Sequence, residues 1–114
     1  IYFMDFVVKK EFEIVRQEGD DASVQFTVPA EIPLTTATCK FQVKDQNGKL
    51  LISKTSTSGI IKDGQSITVV LDPIDTTWHS GLHRWELEVT DEDSYGIKTI
   101  GKGVFKILSQ LITE

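Results

Sequence analysis

One cysteine, one methionine, three prolines and no apolar run approaching the roughly 18 residues of a membrane-spanning helix set the first limits on this chain. With Cys39 alone no intrachain disulfide can form, which excludes a small secreted module stapled by disulfides. Basic residues are scarce too. Twelve Lys and Arg stand against 17 Asp and Glu, a net charge of -5, so neither nucleic acid nor an anionic membrane surface is an expected partner. Helical periodicity is nearly absent, and no internal repeat or heptad is present, which removes solenoids and coiled coils. No Gly-rich phosphate cradle, nucleophile elbow, or His/Cys or Ser/His/Asp arrangement can be assembled. The chain is therefore expected to have no catalytic site and no cofactor. A basic region followed by an apolar stretch and a small-residue cleavage site is also missing, so no secretion signal is expected. Ile1-Tyr2-Phe3 precede Met4, a candidate natural start, and take no part in the functional argument.

What is present is a pattern of period two. In 114 residues, 39% apolar and 25% charged, there is enough apolar surface for one core. Ile14 follows the alternation of a first strand that ends at the turn-forming run Glu18-Gly19-Asp20-Asp21. Val24, Phe26 and Val28 share one face of a second strand. Pro29 and Pro33 bracket a loop, because proline donates nothing to a sheet ladder. Cys39, Phe41 and Val43 then alternate with Lys40, Gln42 and Lys44, and Asn47-Gly48 predicts a tight hairpin into Leu50-Leu51-Ile52. Residues 53–59, rich in Ser, Thr and Lys, read as an edge segment or a flexible link. Ile67, Val69 and Leu71 mark a further strand, and Asp75-Thr76-Thr77-Trp78 suits a single helical turn capped by Asp72 or Asp75. Trp85, Leu87 and Val89 alternate with Arg84, Glu86 and Glu88. Gly103, Phe105 and Ile107 line one face of the last strand, where Gly101 and Gly103 suggest a bulge or a close backbone approach.

Strands about ten residues apart, with polar outer faces and no helical spacers, predict an all-β fold: an immunoglobulin-like antiparallel β-sandwich of about seven strands. A small β-barrel is the alternative. The expected division is an N-terminal extension over 1–10, the sandwich over 11–108, and a tail or linker over 109–114.

Four groups of residues invite a chemical reading. His79 and His83 have the four-residue spacing at which two imidazoles could grip zinc on a helix, but Ser80-Gly81 between them argues against a helix, and further ligands are lacking. Asp91, Glu92 and Asp93 resemble part of a calcium loop, but no acidic residue closes a twelve-residue stretch with the central glycine in place, so a solvated hairpin turn is favoured. Glu86 and Glu88 form a carboxylate pair on an exposed strand face with no apolar pocket to raise either pKa, and no general acid is assigned. Trp78 and Trp85 could stack on a sugar. Trp85 shares the parity of Leu87 and Val89 and is expected in the core, whereas Trp78 falls in a loop. Cys39 shares the parity of Phe41 and Val43 and is expected to be a small buried hydrophobe.

A family resemblance adds to this. Ile14-Val15-Arg16 followed by Gly19-Asp20, then the run from Thr36 to Asp45 with Asn47-Gly48, resembles the N-terminal domain of phage baseplate upper proteins. There an arginine and a Gly-Asp turn precede a strand of the "T-A-T-V-K-F" type and a hairpin. Leu71-Asp72-Pro73 with Asp75-Thr76, the run from Gly81 to Val89, and Lys98-Thr99 through Ile107 are similar to the later half of that family. His83 replaces its usual aromatic residue, and the loop between Pro29 and Pro33 lacks the glycine of "L-T-G-A". The resemblance implies a structural module of a phage or prophage tail, made in the bacterial host cytoplasm and located in the virion, docking to other tail or baseplate proteins, with self-association into a homo-oligomer open.

For such docking the candidate interface comprises the apolar loop residues Ile32, Leu34 and Trp78, the edge residues Leu50 and Ile52, where backbone over 50–56 would add to a neighbouring sheet, and Leu111 and Ile112 beyond the last strand. The alternative is an immunoglobulin-like carbohydrate-binding or adhesion module that binds a cell-surface glycan, motivated by Trp78, His79 and the acidic hairpin.

Overall fold

The computed structural model describes residues 10–11, 13–19, 22–77, 79–92 and 95–109. Within them run β1 (Lys10–Glu11), β2 (Ile14–Gln17), β3 (Ala22–Thr27), β4 (Thr38–Lys44), β5 (Leu50–Thr55), β6 (Ile60–Asp63), β7 (Ser66–Leu71), α1 (Pro73–Thr76), β8 (Gly81–Asp91) and β9 (Gly96–Leu108). The strands form two sheets packed as an immunoglobulin-like sandwich. The larger has the order β1-β9-β8-β4-β5, with β2 also on β9, and the smaller has the order β3-β7-β6.

Period-two alternation explains the burial. On β4, Cys39, Phe41 and Val43 are buried, and on β7 Ile67, Val69 and Leu71. On β8, Trp85, Leu87 and Val89 point into the same space. Trp85 sits at its centre, with its ring centroid 5.4 Å from that of Phe26 in the opposite sheet and 6.0 Å from Phe41. Phe41 in turn meets Phe105 edge-on at 6.4 Å. Aromatic pairs at these separations add to the burial of their area, so this cluster joins the two sheets.

Three departures from simple alternation shape the sheets. First, β1 and β2 pair with β9 in parallel, Ile14 opposite Phe105, while the other pairings between the described strands are antiparallel. The first and last described strands thus share one sheet, a long-range pairing that alternation does not encode. Second, the β8–β9 register shifts between Leu87, opposite Gly101, and Glu88, opposite Thr99. The extra residue is Ile100, which the bulge turns into the core beside Gly101, as the glycines predicted. Third, the register between β4 and β5 skips Leu51, since Val43 faces Ile52 and Lys44 faces Leu50.

The β4–β5 hairpin closes at Asn47-Gly48. Gly48 has φ of +85°, and the Asp45 carboxylate accepts the N–H groups of Asn47 at 2.8 Å and Lys49 at 2.9 Å. Those N–H groups, Lys49 foremost, hold the Asp45 carboxyl below its ordinary pKa. At the other connection, Pro73 opens the single turn of α1 and the Asp72 N–H donates to Asp75 Oδ2 at 2.7 Å. Asp75 also pairs with Lys54 of β5 at 2.9 Å, with side chains only 16% and 13% exposed. Lys54 faces the inner side of an edge strand, and its ion pair ties that strand to the turn following β7.

Candidate functional site

Ile32 and Leu34, in the loop between β3 and β4, were expected among the apolar docking residues, and the structure buries both. Ile32 and Leu34 are 0% and 1% exposed, and Val28 and Ala37 are buried with them. The physical cause is the treatment of the loop's carbonyl groups. Without strand partners, they would resist burial. Lys62 Nζ on β6 donates to the carbonyls of Leu34, at 3.0 Å, and Ala37. Gln65 Nε2 lies within hydrogen-bond reach of the carbonyls of Val28, Pro29 and Ile32, at 3.1, 2.9 and 2.9 Å. Tyr95 Oη donates to the Pro33 carbonyl at 2.9 Å, and Thr36 Oγ1 to Asp91 Oδ2 at 2.6 Å. With its polar groups satisfied, the loop folds its apolar side chains into the end of the sandwich.

The other candidates divide as follows. Ile52 is buried in the core and is no interface residue, whereas Leu50 on β5 is 46% exposed. Trp78, Leu111 and Ile112 lie outside the described residues. Edge pairing along 50–56 meets two obstacles, the skipped register at Leu51 and the inward-facing Lys54, both devices that discourage a second sheet from joining. His83 Nε2 lies 2.6 Å from the His79 carbonyl oxygen, which commits that nitrogen to the backbone, while His83 Nδ1 is buried without a partner. Among the described residues no three His, Cys, Asp or Glu side chains are grouped to hold a metal ion.

Asp91 is buried and bonded to Thr36, and Glu92 is exposed; Asp93 lies outside the described residues. Trp85 is buried, as parity predicted, and presents no sugar platform. Cys39 is likewise buried, and burial raises its thiol pKa above the ordinary value, with Ser56 and Lys62 acting the other way. Such a thiol is poorly suited to be a nucleophile. Burial also raises Tyr95, with the charge of Asp91 adding to the effect.

What the structure assembles instead is the outer face of the larger sheet. On it Gln42 and Lys44 of β4, Arg84 and Glu86 of β8 and Lys102 of β9 line an open groove of about 480 Å³, walled at one end by Asp45, Gln46 and Gly48 of the hairpin. Cross-strand neighbours show how its charges are disposed. Lys40 faces Glu88 and Glu86 faces Lys102, both favourable, but Lys44 stands directly opposite Arg84. Beside the groove the same face carries Val15 of β2, Leu82 of β8 and Val104 and Leu108 of β9, each 39% to 51% exposed. Register places Val15 and Leu82 on either side of Lys106, with Val104 and Leu108 two residues before and after it. Four apolar side chains thus surround one lysine on a flat sheet face. The alternation on β4 and β8 marked Gln42, Lys44, Arg84 and Glu86 of the groove as outward-facing. Which of them meet across the sheet depends on a register that no local signal sets.

No model of a protein family matches the chain, and no curated protein matches it in sequence. Solved structures do share its fold. CopC from Methylosinus trichosporium OB3b is 14% identical with a TM-score of 0.55, the likeness covering 94% of this chain and 90% of that one. A family 123 glycoside hydrolase from Clostridium perfringens, described for glycolipid glycan hydrolysis, is 13% identical with a TM-score of 0.54. That second likeness covers 89% of this chain but 23% of the hydrolase, one domain of a much longer protein. At these identities the shared property is the β-sandwich.

Proposed function

We propose that this domain is a structural docking module of a phage or prophage tail or baseplate, acting through protein–protein contact and not through chemistry. The observation that carries the docking part is the patch of Val15, Leu82, Val104 and Leu108 on the outer face of the larger sheet, apolar area left in water beside a core that is already complete. The occupant proposed for it is another tail or baseplate protein. The tail setting rests on the sequence resemblance, which runs from the Ile14-Val15-Arg16 segment to the closing strand. Burial of Ile32, Leu34 and Ile52 moves the proposed contact from the loop and the sheet edge to this face.

The test is reconstitution. The domain is mixed with the proteins encoded by its flanking genes, and the mass of any complex is followed by light scattering across a concentration series. A defined complex with a tail component, weakened at least tenfold by the pair Leu82→Glu and Val104→Glu in a variant that still folds, is the expected result. Absence of a complex with every such protein, together with saturable quenching of tryptophan fluorescence by a cell-surface glycan, would overturn it in favour of the carbohydrate-binding alternative.

A further inference from the structure

Within the groove, the opposition of Lys44 and Arg84 is the one directly paired like-charge contact among the described strand pairings. Like charges placed opposite each other on an antiparallel ladder destabilise it, and the neighbouring rows of the same face avoid the problem by pairing opposite signs. Neither cation is neutralised locally: among the described residues neither Lys44 nor Arg84 has an ion pair. Of the carboxylate nearest in sequence, Asp45, Oδ1 accepts two N–H groups of its own hairpin, and no ion pair joins it to either cation. Glu86 stands opposite Lys102 in the next row. In a chain of net charge -5, two adjacent uncompensated cations are a local exception.

The row containing them has a definite composition. Across the sheet it reads Val104, Arg84, Lys44, Leu50, so the cation pair is bracketed by two apolar side chains that are 40% and 46% exposed. Strands lie about 4.8 Å apart, so the row spans roughly 14 Å, and the midpoint between Arg84 and Lys44 falls roughly 7 Å from either end. An extended peptide advances about 3.3 Å per residue and turns alternate side chains to one side, so its residues i, i+2 and i+4 are spaced by roughly 6.6 Å. The two spacings agree.

From this we infer that the groove is a docking site for an extended acidic segment of a partner protein, crossing the strands, with one carboxylate set between Lys44 and Arg84 and an apolar residue two positions away on each side. A carboxylate there accepts hydrogen bonds from both cations and removes their repulsion, while Val104 and Leu50 are covered by the flanking side chains. The inference deepens the docking reading and rests on it only in taking the occupant to be a protein.

The experiment uses the intact chain and two blocked pentapeptides, Leu-Ser-Glu-Ser-Leu and the same peptide with Gln at its centre, titrated at low ionic strength and followed by amide chemical shifts. Saturable shifts centred on Leu50, Lys44, Arg84 and Val104 are expected for the Glu peptide, with at least fivefold weaker binding of the Gln peptide. The double variant Lys44→Gln, Arg84→Gln should lose at least tenfold in affinity. Arg84→Gln alone should leave the unfolding temperature unchanged or raised, since it relieves repulsion. Absence of saturable shifts, indifference to the central residue, or binding unaffected by the double variant would overturn the inference. The two readings fail separately. A chain that ignores both peptides yet forms the tail complex loses the groove and keeps the docking module, and one that binds the Glu peptide but forms no tail complex does the reverse.

Discussion

Replacing Lys62 by methionine tests the account of the buried loop most directly. Methionine preserves most of the apolar stem and removes the ammonium, so packing changes little while the carbonyls of Leu34 and Ala37 lose their donor. A hydrogen bond to a charged group contributes about 1.5 to 3 kcal/mol, and an unsatisfied buried acceptor costs a similar amount. Lys62 is itself half-buried, so water can recover part of the loss. A net destabilisation of about 2 to 3 kcal/mol is expected, out of a total of about 5 to 15 for a domain. At roughly 4 °C per kcal/mol for a chain of this size, the midpoint of thermal unfolding by circular dichroism should fall by about 8 to 12 °C. Hydrogen exchange localises the effect. The N–H of Ile32, which donates to Pro29 at 3.0 Å, and that of Ala37, which donates to Leu34 at 3.1 Å, should exchange faster relative to the core strands. Lys62→Arg should recover part of the stability. A midpoint within about 2 °C of the parent, with unchanged exchange at Ile32 and Ala37, would refute the claim that Lys62 holds the loop.

Three further outcomes follow from the same geometry. Gly59→Ala should be more destabilising in urea than Gly48→Ala, although both glycines have positive φ, because a methyl at Gly59 would lie 2.5 Å from Lys54 Cδ and displace it from Asp75, whereas nothing lies within 4 Å at Gly48. The backbone penalty shared by both is about 1 to 2 kcal/mol, and equal losses would show that Lys54 moves aside freely. In alkali, Cys39 and Tyr95 both have folded pKa values raised above their ordinary 9.0 and 10.0, so the stability they contribute is complete below those values and is lost as pH rises through the folded ones. The urea midpoint should therefore decline above pH 9.0, with Cys39→Ala reducing the slope; a slope unchanged in that variant would remove the thiol from the account. A thiol-reactive dye should modify native Cys39 no faster than the protein unfolds, and rapid labelling of the folded chain would contradict its burial.

Much of the fold was legible in the residues because a half-buried strand has a period of two. The strands at Val24, Cys39, Ile67 and Trp85, the hairpin at Asn47-Gly48, the turn at Asp72-Pro73 and the bulge beside Gly101 all rest on short-range rules of side-chain direction and backbone freedom. The core placement of Cys39 and Trp85 follows from parity alone. Ile32 and Leu34 show where such rules end. An apolar residue in a proline-bracketed loop looks like a surface anchor until Lys62 from a distant strand, and Gln65 and Tyr95 from distant turns, satisfy the backbone around it.

Sequence alone, then, determined the class of fold and the faces of the regularly alternating strands β3, β4, β7 and β8, since these depend on neighbours a few residues apart. Tertiary structure decided the parallel pairing of β1 and β2 with β9, the burial of the loop, the inward ion pair of Lys54 and the meeting of Lys44 with Arg84. Each of these joins residues at least 20 positions apart. Their energies arise only once the register of the sheets has set which side chains and which backbone groups face one another.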